Sequence, residues 1–345
     1  MTSPIDTTAL VIGAGPVGLF QVFQLGLQGI HAHVIDALPH VGGQCAELYA
    51  GKPIYDIPGI PFCTGSELVE RLQQQIAPFK PALHLGQQVS RIARQADQRL
   101  HISTDTGLTF LASSVFIAAG VGAFVPRRMV LDGLEAFDGT QVFAEHPAPA
   151  RWAGLHLVVA GDGDTALQTC LDASAGPQAA ASVTLLHRRD QFSATPELIA
   201  QMRQACADGR MRFVAGQPTG WHAEHGRLQA LELLNPQGEN EPLALDVLQT
   251  CLGLSPKLGP VAQWGLAMER KQLVVNTETF ATSEPGIFAV GDINTYPGKK
   301  KLILCGFHEA TLAAFGAVAL LRPTEKALLQ YTTTSTLLHQ RLGIA

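Results

Sequence analysis

Ala9-Leu10-Val11-Ile12-Gly13-Ala14-Gly15-Pro16-Val17-Gly18 reads as a buried strand running straight into a glycine turn. The apolar stretch from Leu19 to Leu27 reads as a helix, and His31-Ala32-His33-Val34-Ile35-Asp36 as a second strand. Strand, helix and strand in that order form a βαβ unit with parallel strands. In Gly13-x-Gly15-x-x-Gly18 the first glycine permits a tight turn, the second lets the backbone approach a pyrophosphate, and the third lets helix pack on strand. The helix N-terminus behind them offers N–H donors and a positive dipole end to phosphate oxygens. Asp36 follows Gly18 by 18 residues, and it is placed to accept a hydrogen bond from a ribose hydroxyl. A carboxylate there repels a 2′-phosphate. The first site therefore suits FAD or NAD, not NADP.

The device recurs about 150 residues further on. The run Leu155 to Ala160 ends in Gly161-Asp162-Gly163-Asp164-Thr165-Ala166, with Ala166 in the place of the third glycine, a permitted variant. After another helical stretch comes the strand Val183 to His187, which closes on His187-Arg188-Arg189 instead of an acid. Guanidinium groups there hold a 2′-phosphate through charge-assisted forks; the plainer alternative is two arginines capping a strand in water. An acidic-type and a basic-type dinucleotide site in one chain point to FAD plus NADPH.

A Pro/Gly-rich loop spans Leu38 to Pro61, and a helix is expected from Ser66 to about Ile76. Val115 to Ala118 and Ile287 to Val290 read as further strands, the latter closing on Gly291-Asp292, and a last helix is expected from Glu309 to Leu321. This pattern predicts an α/β fold of two Rossmann-like dinucleotide-binding domains, one inserted into the other. The FAD-binding domain takes residues 1–120 and 281–345, and the NADPH-binding domain takes 121–280. The 345 residues fit two domains at roughly 150 residues each.

The chain is 46% hydrophobic and 15% charged, ordinary for a globular enzyme, and its formal net charge of −5 gives no global attraction to nucleic acid or to an anionic membrane. Residues 1 to 6 carry no Lys or Arg, unlike a secretory signal. The apolar stretch Ala310 to Leu321 falls short of the roughly 20 residues of a spanning helix. A cytoplasmic protein is expected. The six cysteines, Cys45, Cys63, Cys170, Cys206, Cys251 and Cys305, form no C-x-x-C and no zinc-ligand spacing; no metal is expected.

Further motifs carry a family resemblance. Gly42-Gly43-Gln44, Tyr49, Ile54-Tyr55-Asp56, Gly122-Ala123-Phe124, His187-Arg188-Arg189-Asp190, Gly291-Asp292 and Tyr331-Thr332-Thr333-Thr334-Ser335 occur in one order. With them the chain resembles, from about Leu10 to Gly343, the ferredoxin–NADP reductases built on the thioredoxin reductase fold. The resemblance implies that Gln44 and Tyr49 flank the flavin, with Tyr49 stacked on one ring face. It implies that Val89 holds the adenine through its backbone, that Phe124 lies near the pyrophosphate and flavin, and that Asp292 hydrogen-bonds the ribityl chain. It places Thr333 against the flavin and Tyr331 over the opposite ring face. These roles suit the residue types, since aromatic rings stack on an isoalloxazine and carboxylates accept from hydroxyls. The family often carries a further arginine where this chain has Ser193, which implies a weaker selectivity for NADP. A homodimer is also implied.

Thioredoxin reductases need a C-x-x-C ahead of the second glycine turn, where this chain has Val142-Phe143-Ala144-Glu145-His146. Glutathione-reductase-like enzymes need a second cysteine five residues beyond Cys45, where this chain has Ala50. Thiol–disulfide exchange needs an attacking and a resolving sulfur, and neither pairing exists. Cys45 reads as a packed loop residue. Electrons must then leave the flavin directly. The expected reaction is a reversible ferredoxin–NADP⁺ oxidoreduction, with hydride passing from NADPH to FAD and single electrons to ferredoxin or flavodoxin. An NADPH-dependent flavin reductase or diaphorase and a low-turnover redox-sensing flavoprotein are the alternatives. The cofactors carry the chemistry, so no side chain is assigned as a catalytic acid or base. Lys299-Lys300-Lys301, a few residues after Asp292, is either a solvated lysine loop or a basic patch that helps dock an acidic carrier.

Overall fold

The computed structural model describes residues 3–144, 151–325 and 329–344. Two compact units share the chain: residues Met1–Ala123 with Pro256–Ala345, and the inserted Phe124–Ser255.

The first unit is built on a sheet in the order Ala82–His84, Ala32–Ile35, Ile5–Ile12, Thr109–Ile117, Leu100–Thr104, Val89–Arg94. Ile287–Ala289 adds a parallel pairing to the end of Thr109–Ile117. Leu10, Val11, Val34, Ile35, Phe116 and Ile117 are fully buried, because parallel strands covered on both faces are apolar throughout. Helix Pro16–Leu27 crosses between the first two strands and packs against helices Gly65–Ile76 and Ile303–Leu321. Thr64 caps Gly65–Ile76: its hydroxyl accepts from Glu67 N at 3.2 Å while the Glu67 carboxylate accepts from Thr64 N at 2.8 Å, a reciprocal box that fixes where the helix starts.

Two expectations change here. The last long helix runs Ile303–Leu321, six residues ahead of Glu309. At 19 residues it is long and apolar enough to cross a membrane. Gly306 lets this helix approach Pro16–Leu27: a Cβ there would stand 2.4 Å from Val17 Cγ2. Glu309, Ala310, Ala313, Ala314 and Ala317 are fully buried within the first unit, which is how a core helix is used. The unit boundary also falls earlier, at Ser255/Pro256, instead of near residue 281. Gln272–Val274 pairs with Asn294–Thr295 and Phe280 packs edge-on against Tyr296, so this stretch belongs with the late strand.

The second unit has a five-stranded parallel sheet, in the order Val142–Phe143, Val247–Cys251, His156–Gly161, Ser182–His187, Arg212–Ala215. Helix Asp164–Ala173 follows the glycine turn, and an antiparallel sheet of Gln217–Glu224, Arg227–Leu234 and Asn240–Ala244 stands beside it in sequence. Glu145 and His146 lie outside the described residues.

Candidate functional site: two dinucleotide cradles

In the first unit the strand register lines up Ile12 with Ile35 and with Ile117, and Ile117 with Ala289. The segments just beyond those residues, Gly13 to Gly18, Asp36, Ala118 to Gly120 and Gly291-Asp292, therefore gather at one carboxyl edge of the sheet, where open α/β sheets bind ligands. Gly13 has φ +111°, and a Cβ on it would stand 2.4 Å from the Ala118 carbonyl oxygen. A Cβ on Gly18 would stand 1.8 Å from the Gly13 oxygen. Both positions accept glycine alone. Helix Pro16–Leu27 opens at Gly15 with no side-chain cap and no acid in its first turn, so its leading N–H groups are free to meet a pyrophosphate.

Asp36 braces that turn. Its Oδ2 accepts from Ala14 N at 2.6 Å and its Oδ1 from Leu38 N at 2.8 Å. Burial raises its pKa above the usual carboxylate value, against the pull of those two N–H bonds. Each oxygen keeps a lone pair for a ribose hydroxyl. The uncapped helix, the glycine cradle and this carboxylate fit the ADP half of FAD.

Gln44 begins the short helix Gln44–Glu47, and its amide nitrogen donates to Asp292 Oδ2 at 3.4 Å. Tyr49 is half-buried, and burial, followed by the Cys45 thiol and the Asp292 and Asp56 carboxylates, pushes its pKa upward. It lines a cavity of about 510 Å³ with Lys52, Ile54, Tyr55, Asp56 and Lys301. Cys45 is fully buried and its thiol is pushed up to about 11 by burial, so it is not a thiolate at neutral pH. All six cysteines are free, and among the described residues no three His, Cys, Asp or Glu side chains gather as a metal site.

The remaining flavin candidates are more dispersed. Val89 is buried at the start of Val89–Arg94 and pairs with Thr104; just before it, Gln87 N donates to the Asp36 carbonyl at 2.8 Å. Phe124 is half-buried and is the first residue of the second unit. Tyr331 is 65% exposed and Thr333 is exposed too. The helix that follows them, Thr336–Leu342, is tied by Arg341 to the Leu27 carbonyl, at the opposite end of helix Pro16–Leu27 from Gly15. No hydrogen bond among the described residues joins Tyr331 or Thr333 to Gln44, Tyr49 or Asp292.

In the second unit the register sets Gly161 opposite Cys251, and a Cβ on Gly161 would stand 2.4 Å from the Cys251 carbonyl oxygen. The Ala166 methyl lies 2.9 Å from that same point, so alanine fills the third position only because Gly161 leaves room. Gly163 begins helix Asp164–Ala173 without a side-chain cap. The Asp164 carboxylate is occupied by Thr195 N at 2.6 Å. His187 ends its strand and donates through Nδ1 to the Arg189 carbonyl at 2.9 Å. Arg188 and Arg189 are exposed, and neither forms an ion pair among the described residues, whereas Asp190 is paired with Arg203. Ser193 N donates to the Asp162 carbonyl at 2.9 Å, and its hydroxyl lies 3.7 Å from a Cβ built on Gly163. Ser193 thus borders the second glycine turn itself.

The sequence reading missed the support of Asp292. Gly291 N donates to the buried Glu309 carboxylate at 2.7 Å, Lys299 Nζ donates to the Gly291 carbonyl at 2.9 Å, and Lys299 pairs with Glu309. Lys299 is therefore not part of a solvated basic patch: its side chain is 7% exposed, while Lys300 and Lys301 are exposed. The available signal was Glu309, the one formally charged residue in the apolar run Ile303–Leu321.

Residues 7–311 match the pyridine nucleotide-disulphide oxidoreductase family model. The chain is 60% identical over 350 aligned positions to a ferredoxin–NADP reductase of Paracidovorax citrulli, covering 99% of this chain and 97% of that one. It is 55% identical over 342 positions, with the same coverages, to a ferredoxin–NADP reductase of Albidiferax ferrireducens. Among solved structures it is similar to the Lactococcus lactis thioredoxin reductase, at TM-score 0.55 and 22% identity over 91% of this chain and 99% of that one. It is also similar to the bacillithiol disulfide reductase of Staphylococcus aureus, at TM-score 0.60 and 15% identity over the same shares.

Proposed function

The chain belongs to the pyridine nucleotide-disulphide oxidoreductase family and, within it, to the ferredoxin–NADP reductases, and from that membership we propose how its own residues serve the reaction. The enzyme uses FAD as its resident cofactor and NADPH as co-substrate. When bound, the flavin accepts two electrons from NADPH and releases them singly to a protein carrier, and the reaction runs in either direction.

The observation that carries this reading is the Gln44–Asp292 contact at the carboxyl edge of the first sheet. It joins two segments of the family resemblance, far apart in sequence, beside the glycine cradle. Gly13, Gly15, Gly18 and Asp36 hold the ADP half of FAD, with Val89 at the adenine. Gln44 and Asp292 orient the ribityl chain and ring, Tyr49 stacks on the ring, and Phe124 is assigned to the pyrophosphate and flavin. Gly161, Gly163 and Ala166 receive the NADPH pyrophosphate, and His187, Arg188 and Arg189 its 2′-phosphate. Cys45, buried and protonated, takes no electrons.

The partner is ferredoxin or flavodoxin, and the working form is a homodimer in the cytoplasm. Leu329, Tyr331, Leu337 and Ile344 of the tail are 40–69% exposed, and a second copy of the chain would cover them. In a dimer, Tyr331 and Thr333 reach the flavin of the second copy. Anaerobic titration tests the cofactor assignment. NADPH should bleach the flavin bands at about one equivalent per FAD. A flavin that stays oxidised in excess NADPH would refute it.

A further inference from the structure

The turn that carries Asp292 is clamped at successive backbone polar groups. Gly291, at φ +77°, donates its N–H to Glu309 Oε2 at 2.7 Å and accepts from Lys299 Nζ at 2.9 Å through its carbonyl. The Asp292 carbonyl accepts from Gln272 Nε2 at 3.1 Å, and the same amide reaches the Asn294 carbonyl at 2.7 Å. Glu309 also accepts from Asn294 Nδ2 at 2.8 Å, from the Tyr296 hydroxyl at 2.9 Å and from Lys299. Both charges are withdrawn from water, at 7% side-chain exposure for Lys299 and 0% for Glu309.

A buried ion pair of this kind contributes little net stability, because desolvation offsets the attraction. What it does supply is geometry. Two charges that must each keep their partners leave the enclosed turn a single arrangement. That turn ends in a side chain that meets Gln44 from 248 positions away. A packed apolar residue at position 309 would fill the core equally well and leave the Gly291 N–H without its acceptor.

We propose that Glu309 and Lys299 are positioning residues for the flavin: they hold Gly291 by both its backbone polar groups and thereby aim the Asp292 carboxylate at the ribityl chain. Helix Ile303–Leu321 is then a strut of the FAD site as well as core packing. This inference rests on the reading of Asp292 as a flavin ligand.

A double-mutant cycle on FAD affinity tests it, with apoprotein titrated by FAD and followed through flavin fluorescence. Glu309→Gln, nearly isosteric, should weaken FAD binding about tenfold, while in the Asp292→Asn background the same change should weaken it by no more than about twofold, since coupled residues are non-additive. Tyr296→Phe, which removes one donor to Glu309 and keeps the core filled, should give a smaller loss with the same dependence on Asp292. It carries the test if Glu309→Gln fails to fold. An equal loss in both backgrounds would show that Glu309 acts independently of Asp292 and would overturn the proposal, as would full FAD affinity in Glu309→Gln. If Asp292→Asn alone left FAD affinity unchanged, the assignment of Asp292 would fall first, and the proposal with it.

Discussion

The side chain of Gln44 meets that of Asp292 at 3.4 Å, amide to carboxylate, although 248 positions separate them in the chain. The contact exists because the strands ending at Ile12, Ile117 and Ala289 end in register. The loop after the first βαβ unit and the turn after the last strand therefore share one edge. Replacing Gln44 with Ala should weaken FAD binding less than replacing Asp292 with Ala, because the amide positions a ligand whose carboxylate makes the contact. Isothermal titration of the two apoproteins with FAD checks the order; a larger loss for Gln44→Ala would reverse the assignment.

NADPH should be preferred to NADH, and Arg188 and Arg189 should be the cause. Both are exposed and without an ion-pair partner among the described residues, at the end of the strand Ser182–His187. A hydrogen bond between charged groups is worth about 1.5–3 kcal/mol, so two support a preference on the order of 10²-fold. Ser193 adds no third cation and instead borders the second glycine turn, which puts the preference at the lower end. Converting both arginines to Ala should raise the NADPH KM strongly and leave NADH nearly untouched, as steady-state kinetics with each nucleotide will show. Equal loss with both nucleotides would remove these residues from the 2′-phosphate site.

Lys300 and Lys301 should assist the carrier, and Lys299 should not. The first two are exposed and Lys301 lines the cavity beside Tyr49, whereas Lys299 is committed to Glu309. Lys300→Gln with Lys301→Gln should lower kcat/KM for ferredoxin most at low salt, where steering charges act furthest, and should leave bound FAD unchanged. Lys299→Gln should do the reverse, loosening FAD with no salt-dependent effect on ferredoxin. Kinetics across ionic strength, with FAD content measured in parallel, separates the two patterns.

Cys45 should be unreactive. Its thiol is pushed up to about 11, so at pH 8 only about one molecule in 10³ carries the thiolate that reacts. The raised value works in one direction: reactivity appears only as pH rises toward the alkaline limit. Native protein treated with iodoacetamide at pH 8 and mapped by mass spectrometry should be labelled at the partly exposed Cys206, Cys251 or Cys305 before Cys45. Cys45→Ser should keep turnover within about twofold. Early labelling of Cys45, or loss of activity on its replacement, would restore a redox role for it.

Much of this molecule was legible in the sequence, for reasons that differ from residue to residue. Gly13, Gly18 and Gly161 were readable because their positions exclude any side chain, and the strand and helix around each stand next to it in the chain. The position of Arg188 and Arg189 just after a strand was readable because the apolar pattern marks Ser182–His187. Lys299 was misread because a run of three lysines looks solvated, and only the fold shows that the first turns inward to Glu309. Local pattern starts the last helix at Glu309, whereas Glu309 is a buried anchor inside the longer helix Ile303–Leu321. The boundary at Pro256 was missed because the pairing of Gln272–Val274 with Asn294–Thr295 is invisible to local pattern. Tyr331 and Thr333 belong to a tail that no hydrogen bond among the described residues ties to Gln44, Tyr49 or Asp292, and only the family resemblance implies a place for them beside the flavin.

The dimer can be tested by mass alone. Light scattering at micromolar concentration should give twice the 36.7 kDa chain mass, and removal of the tail from Leu329 onward should lower flavin retention. A monomer mass for the intact chain would separate Tyr331 and Thr333 from the flavin site.

Electrons should pass from NADPH through FAD to ferredoxin without a dithiol relay. The most direct measurement is NADPH-dependent cytochrome c reduction by the FAD-loaded protein, with and without added ferredoxin. Reduction should be slow without ferredoxin, should rise and saturate as ferredoxin is added, and should be insensitive to thiol alkylation. A rate unchanged by ferredoxin, or one abolished by alkylation, would contradict it.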